Sequence, residues 1–176
     1  MSNTIENLIF NSLRDIGVRR AFGPRQVPPF TGTLNRNGIQ YEIMDQVTSL
    51  PEFPEIPAFV TSSDYNDLSS CCTWAAHYIG DGPAVFIVEH GNAHGSAMPY
   101  TPPNLTFGAV TVIDNPATAA WHIHNILDFL VRERRPVYIG VPRHIATLPL
   151  STVAYSADEE GEENAANAAS AMLYIF

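Results

Sequence analysis

The sequence predicts a single α/β domain built on a mostly parallel sheet with helices on both faces. Strand-like and helix-like segments alternate through the first 150 residues, a pattern that calls for right-handed crossovers between parallel strands. Two of the strand segments, residues 84–88 (AVFIV) and 136–141 (PVYIGV), are unbroken apolar runs. Such runs mark strands covered on both faces. The 176 residues are 45% hydrophobic and 10% aromatic, a composition that suits one domain with a real core.

Taken in order, Ile5, Leu8, Ile9, Leu13 and Ile16 recur at helical spacing, with Asn3 or Thr4 as N-cap and Gly17 as the stop. Residues 18–22 read as a short strand ended by Gly23 and Pro24. Residues 25–38 carry the proline and glycine of a loop, and residues 41–50 read as a short helix. Pro51, Pro54 and Pro57 lead to a second strand at 58–61. A helix over 68–79, opened by Asp64 or Asn66, stops at Gly80-Asp81-Gly82. The strand 84–88 follows, then a glycine- and proline-broken stretch over 91–104, a strand at 107–113, a helix at 117–132 and the strand at 136–141. Residues 1–150 form the α/β domain. Residues 151–176 form an acidic linker, with Asp158, Glu159, Glu160, Glu162 and Glu163, and an alanine-rich C-terminal helix.

The 18 acidic against 9 basic residues give a formal charge of -9, which excludes nucleic acid and anionic membrane surfaces as partners. The first residues lack the basic and apolar regions of a signal peptide, and no apolar run approaches the ~20 residues of a membrane span. Cys71 and Cys72 are adjacent and build neither a disulfide framework nor a zinc site. A cytoplasmic protein is expected.

Three stretches, GVRRAFG (17–23), NDLSSCCTWAAHYIGDG (66–82) and RRPVYIGVP (134–142), together resemble the N-terminal pyrimidine-binding domain of the pyruvate and indolepyruvate decarboxylase family of thiamine diphosphate enzymes. GVRRAFG (17–23) is similar to the end of that domain's first helix and strand. NDLSSCCTWAAHYIGDG (66–82) resembles its helix that begins Asn-Glu-Leu, and RRPVYIGVP (134–142) its closing strand. The resemblance implies the domain's fold, and a C-terminal segment that once led into a middle domain. It also implies a cofactor whose carbanion chemistry the protein orients. This chain departs from the family where catalysis is concerned. The activating glutamate falls on Asp67, and the acid of the loop after the first strand falls near Val27. The histidine pair of decarboxylation has no counterpart, and Gly80-Asp81-Gly82 reads as a turn, not a diphosphate site. No cofactor is therefore expected, unless a partner chain supplies the domain that holds thiamine diphosphate and Mg²⁺.

The family's loop beside the aminopyrimidine is small and neutral. Here it contains Glu89, His90 and His94, at the carboxyl end of a buried strand where open α/β sheets bind ligands. With Asp67 they form a candidate acid–base set, with His90 first because histidine titrates near neutral pH. Asn66, Asn92, Tyr100 and Trp74 are candidate substrate contacts. His90 and His94 have no third metal ligand, and a metal is not expected. His122 and His124, two apart on one helix, face different sides at partly exposed positions. Cys71, Cys72 and Trp74 read as core or interface packing.

The leading expectation is a cofactor-independent lyase, isomerase or cyclase that abstracts a proton beside a carbonyl of a small molecule. A homodimer is expected, since isolated domains of this kind retain an apolar face. The alternatives are the pyrimidine-binding subunit of a split thiamine diphosphate decarboxylase, and a non-catalytic binding or regulatory module.

Overall fold

The computed structural model describes residues 4–25, 30–47, 55–91, 105–150 and 174–175. Helix α1 (Ile5–Asp15) is opened by Thr4, whose side chain accepts from the Asn7 backbone N–H. Its buried stripe is Ile5, Ile9, Phe10 and Leu13. Gly17, at a φ of +100° that glycine tolerates best, turns the chain into β1 (Arg20–Gly23). There follow α2 (Thr31–Arg36), β2 (Gln40–Ile43) with a one-turn 3-10 helix at Met44–Gln46, β3 (Ala58–Ser62) and α3 (Tyr65–Ile79). Then come β4 (Val85–His90), β5 (Ala109–Val112), α4 (Ala119–Glu133), β6 (Val137–Pro142), the four-residue α5 (Arg143–Ala146) and β7 (Tyr174–Ile175).

The sheet order is β2-β1-β3-β4-β6-β5-β7; β1 to β6 are all parallel, and β7 pairs antiparallel with β5. Two apolar layers sandwich it. On one face α1, α2, α4 and α5 bury Ile9, Leu34, Ile126 and Ile145 against Ala21, Val60, Ile87 and Ile139. On the other, α3 sets Leu68, Cys71, Cys72 and Ala75 against Phe22, Phe59, Phe86, Val88 and Tyr138. The alternation along β4 and β6 is that of a pleated strand, whose successive side chains take opposite faces.

Chain direction sorts the crossovers between these faces. The move from β3 to β4, toward the β5 edge, runs over the α3 face through α3 itself, and Leu105 and Phe107, just before β5, pack on the same side. Moves toward the β2 edge run over the other face, through α2 and α4. A single crossover hand requires this sorting. Ile5 N–H donates to the Leu148 carbonyl (3.2 Å) and Thr4 bridges Pro149, so the two ends of the 4–150 segment are tied together.

The fold class is the one the sequence predicts, but three local readings need correction. The loop expected over 25–38 contains α2, because Leu34 is buried in the core and the Asn37 N–H closes on the Thr33 and Leu34 carbonyls. The helix expected over 41–50 is β2 in its first residues. There the ladder with β1 wins, aided by the Arg20–Glu42 pair (Nε–Oε1 2.6 Å, Nη2–Oε2 2.8 Å). Tyr174 and Ile175, expected to end a helix, pair as a strand instead; the acidic run lies outside the described residues. Among the described residues no helix is long and apolar enough to cross a membrane.

Candidate active site at the carboxyl ends of β4 and β6

Strands β4 and β6 are neighbours, paired from Val85↔Val137 to His90↔Pro142. β6 is followed at once by α5, whose Ile145 and Ala146 pack on the α1 and α4 face. The carboxyl ends of the strands are where open α/β sheets bind ligands.

The pleat divides the two predicted residues at the end of β4. Val85 and Ile87 face α1 and α4, while Phe86 and Val88 face α3. Glu89 therefore continues the first series and His90 the second. The ring of His90 lies on the α3 face, with Nε2 2.9 Å from the Tyr138 hydroxyl. The two rings meet edge to face at 6.1 Å. Gly140 makes room for this arrangement: a Cβ there would stand 2.7 Å from His90 Nε2 and 3.1 Å from Val112 Cγ2. Burial, which penalises the charged form, holds the His90 imidazole below its ordinary pKa and pushes the Tyr138 phenol above its own. At neutral pH the pair is a neutral imidazole beside a protonated phenol.

Glu89, only 6% exposed, is occupied on the other face. Arg143 Nε and Nη2 lie 2.6 and 2.5 Å from its Oε1. Asp67 lies in the first turn of α3, which Asp64 caps by accepting from the Asn66 N–H (3.0 Å). Ser62, the register partner of Glu89, donates to Asp67 Oδ2 at 3.2 Å. The Ser63 N–H donates to the Glu89 carbonyl at 2.8 Å, which ties the end of β3 to that of β4. The candidate set is thus three separate pairs: His90–Tyr138, Glu89–Arg143 and Asp67–Ser62. Among the described residues no hydrogen bond joins one pair to another.

Of the other predicted contacts, Asn66 is exposed, and Trp74 packs against Phe22, Phe59 and Tyr78, with centroids 5.7, 5.8 and 4.4 Å away. Asn92, His94 and Tyr100 lie outside the described residues. Cys71 and Cys72 are core residues whose thiols burial pushes up to about 12, so they stay protonated and unreactive. His122, read from the sequence as partly exposed, is buried with Nδ1 3.1 Å from Thr111 Oγ1, because α4 turns it onto β5. His124 is exposed beside Asp128. Among the described residues no group of three His, Cys, Asp or Glu side chains is placed to hold a metal.

Two residues of this site escaped the sequence reading. By periodicity Tyr138 is one more apolar position of PVYIGV, and the signal that sets it apart is that a buried tyrosine needs a partner for its hydroxyl. Arg143 directly follows the same strand, and nothing local in the sequence marks it. Beside this geometry the comparisons with known proteins are silent: no family model matches the chain, and no curated protein matches it.

Proposed function

We propose that this chain is a cofactor-independent enzyme that moves a proton beside the carbonyl of a small organic molecule, with His90 as base and acid. The observation that carries the reading is the His90–Tyr138 hydrogen bond between neighbouring strands, with His90 at the carboxyl end of β4. With Nε2–H donating to the phenol oxygen, Nδ1 presents its lone pair to a substrate. It takes a proton from the carbon beside the carbonyl, and the C–H pair becomes that of an enolate. The imidazolium then returns a proton to the same or a neighbouring atom. Tyr138 holds the ring and accepts the Nε2–H bond in both states. A base whose conjugate acid lies below the ordinary histidine range is free at neutral pH.

Resemblance to the pyrimidine-binding domain of thiamine diphosphate decarboxylases forms part of the reading. Its support is the three motifs and the parallel α/β fold they imply. The residues fit a thiamine pyrimidine poorly. Asp67 is one methylene short of the family's glutamate and has one oxygen engaged by Ser62, and the His90 ring fills the space above Gly140. The reading accordingly leaves out thiamine diphosphate and Mg²⁺. It further holds that the enzyme is a cytoplasmic homodimer.

Proton exchange tests the proposal without knowledge of the natural reaction. The protein is incubated in D₂O with 2-butanone, levulinate and dihydroxyacetone phosphate, and loss of the proton signals beside each carbonyl is followed by NMR. The wild type should accelerate exchange for at least one compound, and His90→Ala should abolish the acceleration. Exchange that survives His90→Ala, or none with any of the three, rejects this reading.

A further inference from the structure

The two edges of the sheet are built differently. At one edge β2 carries Gln40, which is exposed, and Glu42, which Arg20 holds through both carboxylate oxygens. Polar and charged side chains of this kind keep an edge strand from pairing with another chain. At the other edge β5 is Ala109-Val110-Thr111-Val112, with no charge, no proline and three β-branched residues of four. Alternate N–H and C=O groups of such a strand point away from its neighbour and seek a further strand. Among the described residues Tyr174 and Ile175 alone pair with this outer edge, in the register Ala109↔Ile175 and Val110↔Tyr174.

That cover is short and runs against the sheet. Strands β1 to β6 are parallel, whereas β7 is antiparallel to β5. A two-fold axis that sets β5 beside β5 of a second copy also makes an antiparallel pair. Strand β7 therefore takes up the edge in the orientation in which a second copy would meet it, with two residues against the four that β5 offers. The body of the domain closes without β7, through the Ile5–Leu148 hydrogen bond and the Thr4–Pro149 bridge. Residues 151–173 join the two, and 23 residues can reach about 75 Å when extended, so departure of β7 from the edge leaves the core intact. We infer that β7 is a detachable strap over a self-association surface. While Tyr174 and Ile175 lie on β5 the chain is a monomer; when they leave, β5 pairs edge to edge with β5 of a second copy. The inference rests on the homodimer of the proposed function, not on the chemistry of His90, and gives that dimer its surface and its control.

Sedimentation velocity of the full chain over a dilution series tests it. Tyr174→Pro removes the N–H beside Val110 and weakens the strap. Both copies must be unstrapped to pair, so a strap closed about two-thirds to nine-tenths of the time raises the dimer Kd by about 10- to 100-fold. Tyr174→Pro should dimerise more tightly than the wild type by that factor. Ala109→Cys with Ile175→Cys closes the strap covalently, because these are register partners, and Cys71 and Cys72 are buried in the core. The oxidised double variant should stay monomeric at every concentration, and a reductant should return it to the wild-type equilibrium. Hydrogen exchange locates the surface: the outward amides of β5 should be protected in the oxidised variant, open in dilute Tyr174→Pro, and protected again as that variant dimerises. A Kd that Tyr174→Pro leaves unchanged or raises overturns the inference, as does dimerisation of the oxidised variant, or a dimer that leaves the β5 amides open. A dimer indifferent to β7 overturns it alone and leaves the homodimer standing. No association in any of the three proteins overturns both.

Discussion

Tyr138→Phe removes one oxygen from a packed position and leaves the ring. The apolar part of Tyr138 is buried completely and stacks edge to face on Phe107 at 5.4 Å, and phenylalanine preserves that contact. What is lost is the 2.9 Å bond to His90. A net hydrogen bond is worth about 1 kcal/mol, and a partner left unsatisfied costs about 1–3 kcal/mol. His90 is only part-buried and water can reach it, so the expected loss is about 1–2 kcal/mol, near the lower bound. In a chain of this size each kcal/mol lowers Tm by about 2–4 °C, which makes a drop of about 2–8 °C. The variant should also move the His90 titration, followed by the ring ¹³Cε1 shift against pH. The wild type should titrate below the ordinary 6.5 or so, because burial disfavours the imidazolium. The imidazolium donates the stronger bond to the phenol oxygen, so its loss should lower the midpoint further. Unchanged Tm together with an unchanged midpoint would mean that the bond is absent in solution, and the proposed chemistry would lose its foundation.

Three further outcomes are expected. Because burial lowers both His90 and His122 in the folded state, the unfolded chain binds protons first as pH falls. Their contribution should therefore be intact above about pH 6.5 and lost progressively below it; chemical denaturation at a series of pH values checks the sign, and His122→Asn, for which only the His90 part remains, should flatten the slope. Gly140→Ala places a Cβ 2.7 Å from His90 Nε2, so the ring must move off Tyr138 and exchange activity should collapse, with a stability cost of about 1–3 kcal/mol by denaturant titration. Arg143→Ala strands the Glu89 carboxylate in its buried site and should cost about 3 kcal/mol, at the low end for a broken buried pair because water reaches the arginine side; Glu89→Gln in the same chain should restore part of it.

Why some of this was legible in the sequence and some was not follows from the range of each signal. Long, strongly patterned segments carry their structure locally. The stripe Ile5, Ile9, Leu13 and the unbroken AVFIV run gave their elements with ends within a residue or two, and Asp64 and Thr4 cap the helices they were expected to open. Residues 31–36 and 40–43 are short, and what decides them is remote: Leu34 is held by the core, and Glu42 by Arg20 twenty-two residues earlier. No window along the chain contains that information.

The site shows the same limit at finer grain. Adjacent Glu89 and His90 look like one acid–base cluster on paper, yet a strand alternates its faces every residue, so adjacency at a strand end is the arrangement that separates two side chains. The useful neighbours lie across the ladder instead. In parallel register His90 sits opposite Pro142, and residues of β6 on the same face are therefore Gly140 and Tyr138, the one making the space and the other the hydrogen bond. Glu89 sits opposite Val141 and faces α5, which brings Arg143 to it. The motif PVYIGVP thus serves two roles that periodicity alone cannot separate. Val137, Ile139 and Val141 fill one core, while Tyr138 and Gly140 shape the histidine on the other side. If the acid–base reading holds, exchanging Tyr138 and Ile139 would keep composition and hydrophobic pattern but put the hydroxyl on the wrong face. The double variant should then lose exchange activity as completely as His90→Ala. A swapped protein that folds, by circular dichroism and denaturation, and still exchanges protons at the wild-type rate would show that the face on which the hydroxyl lies is irrelevant.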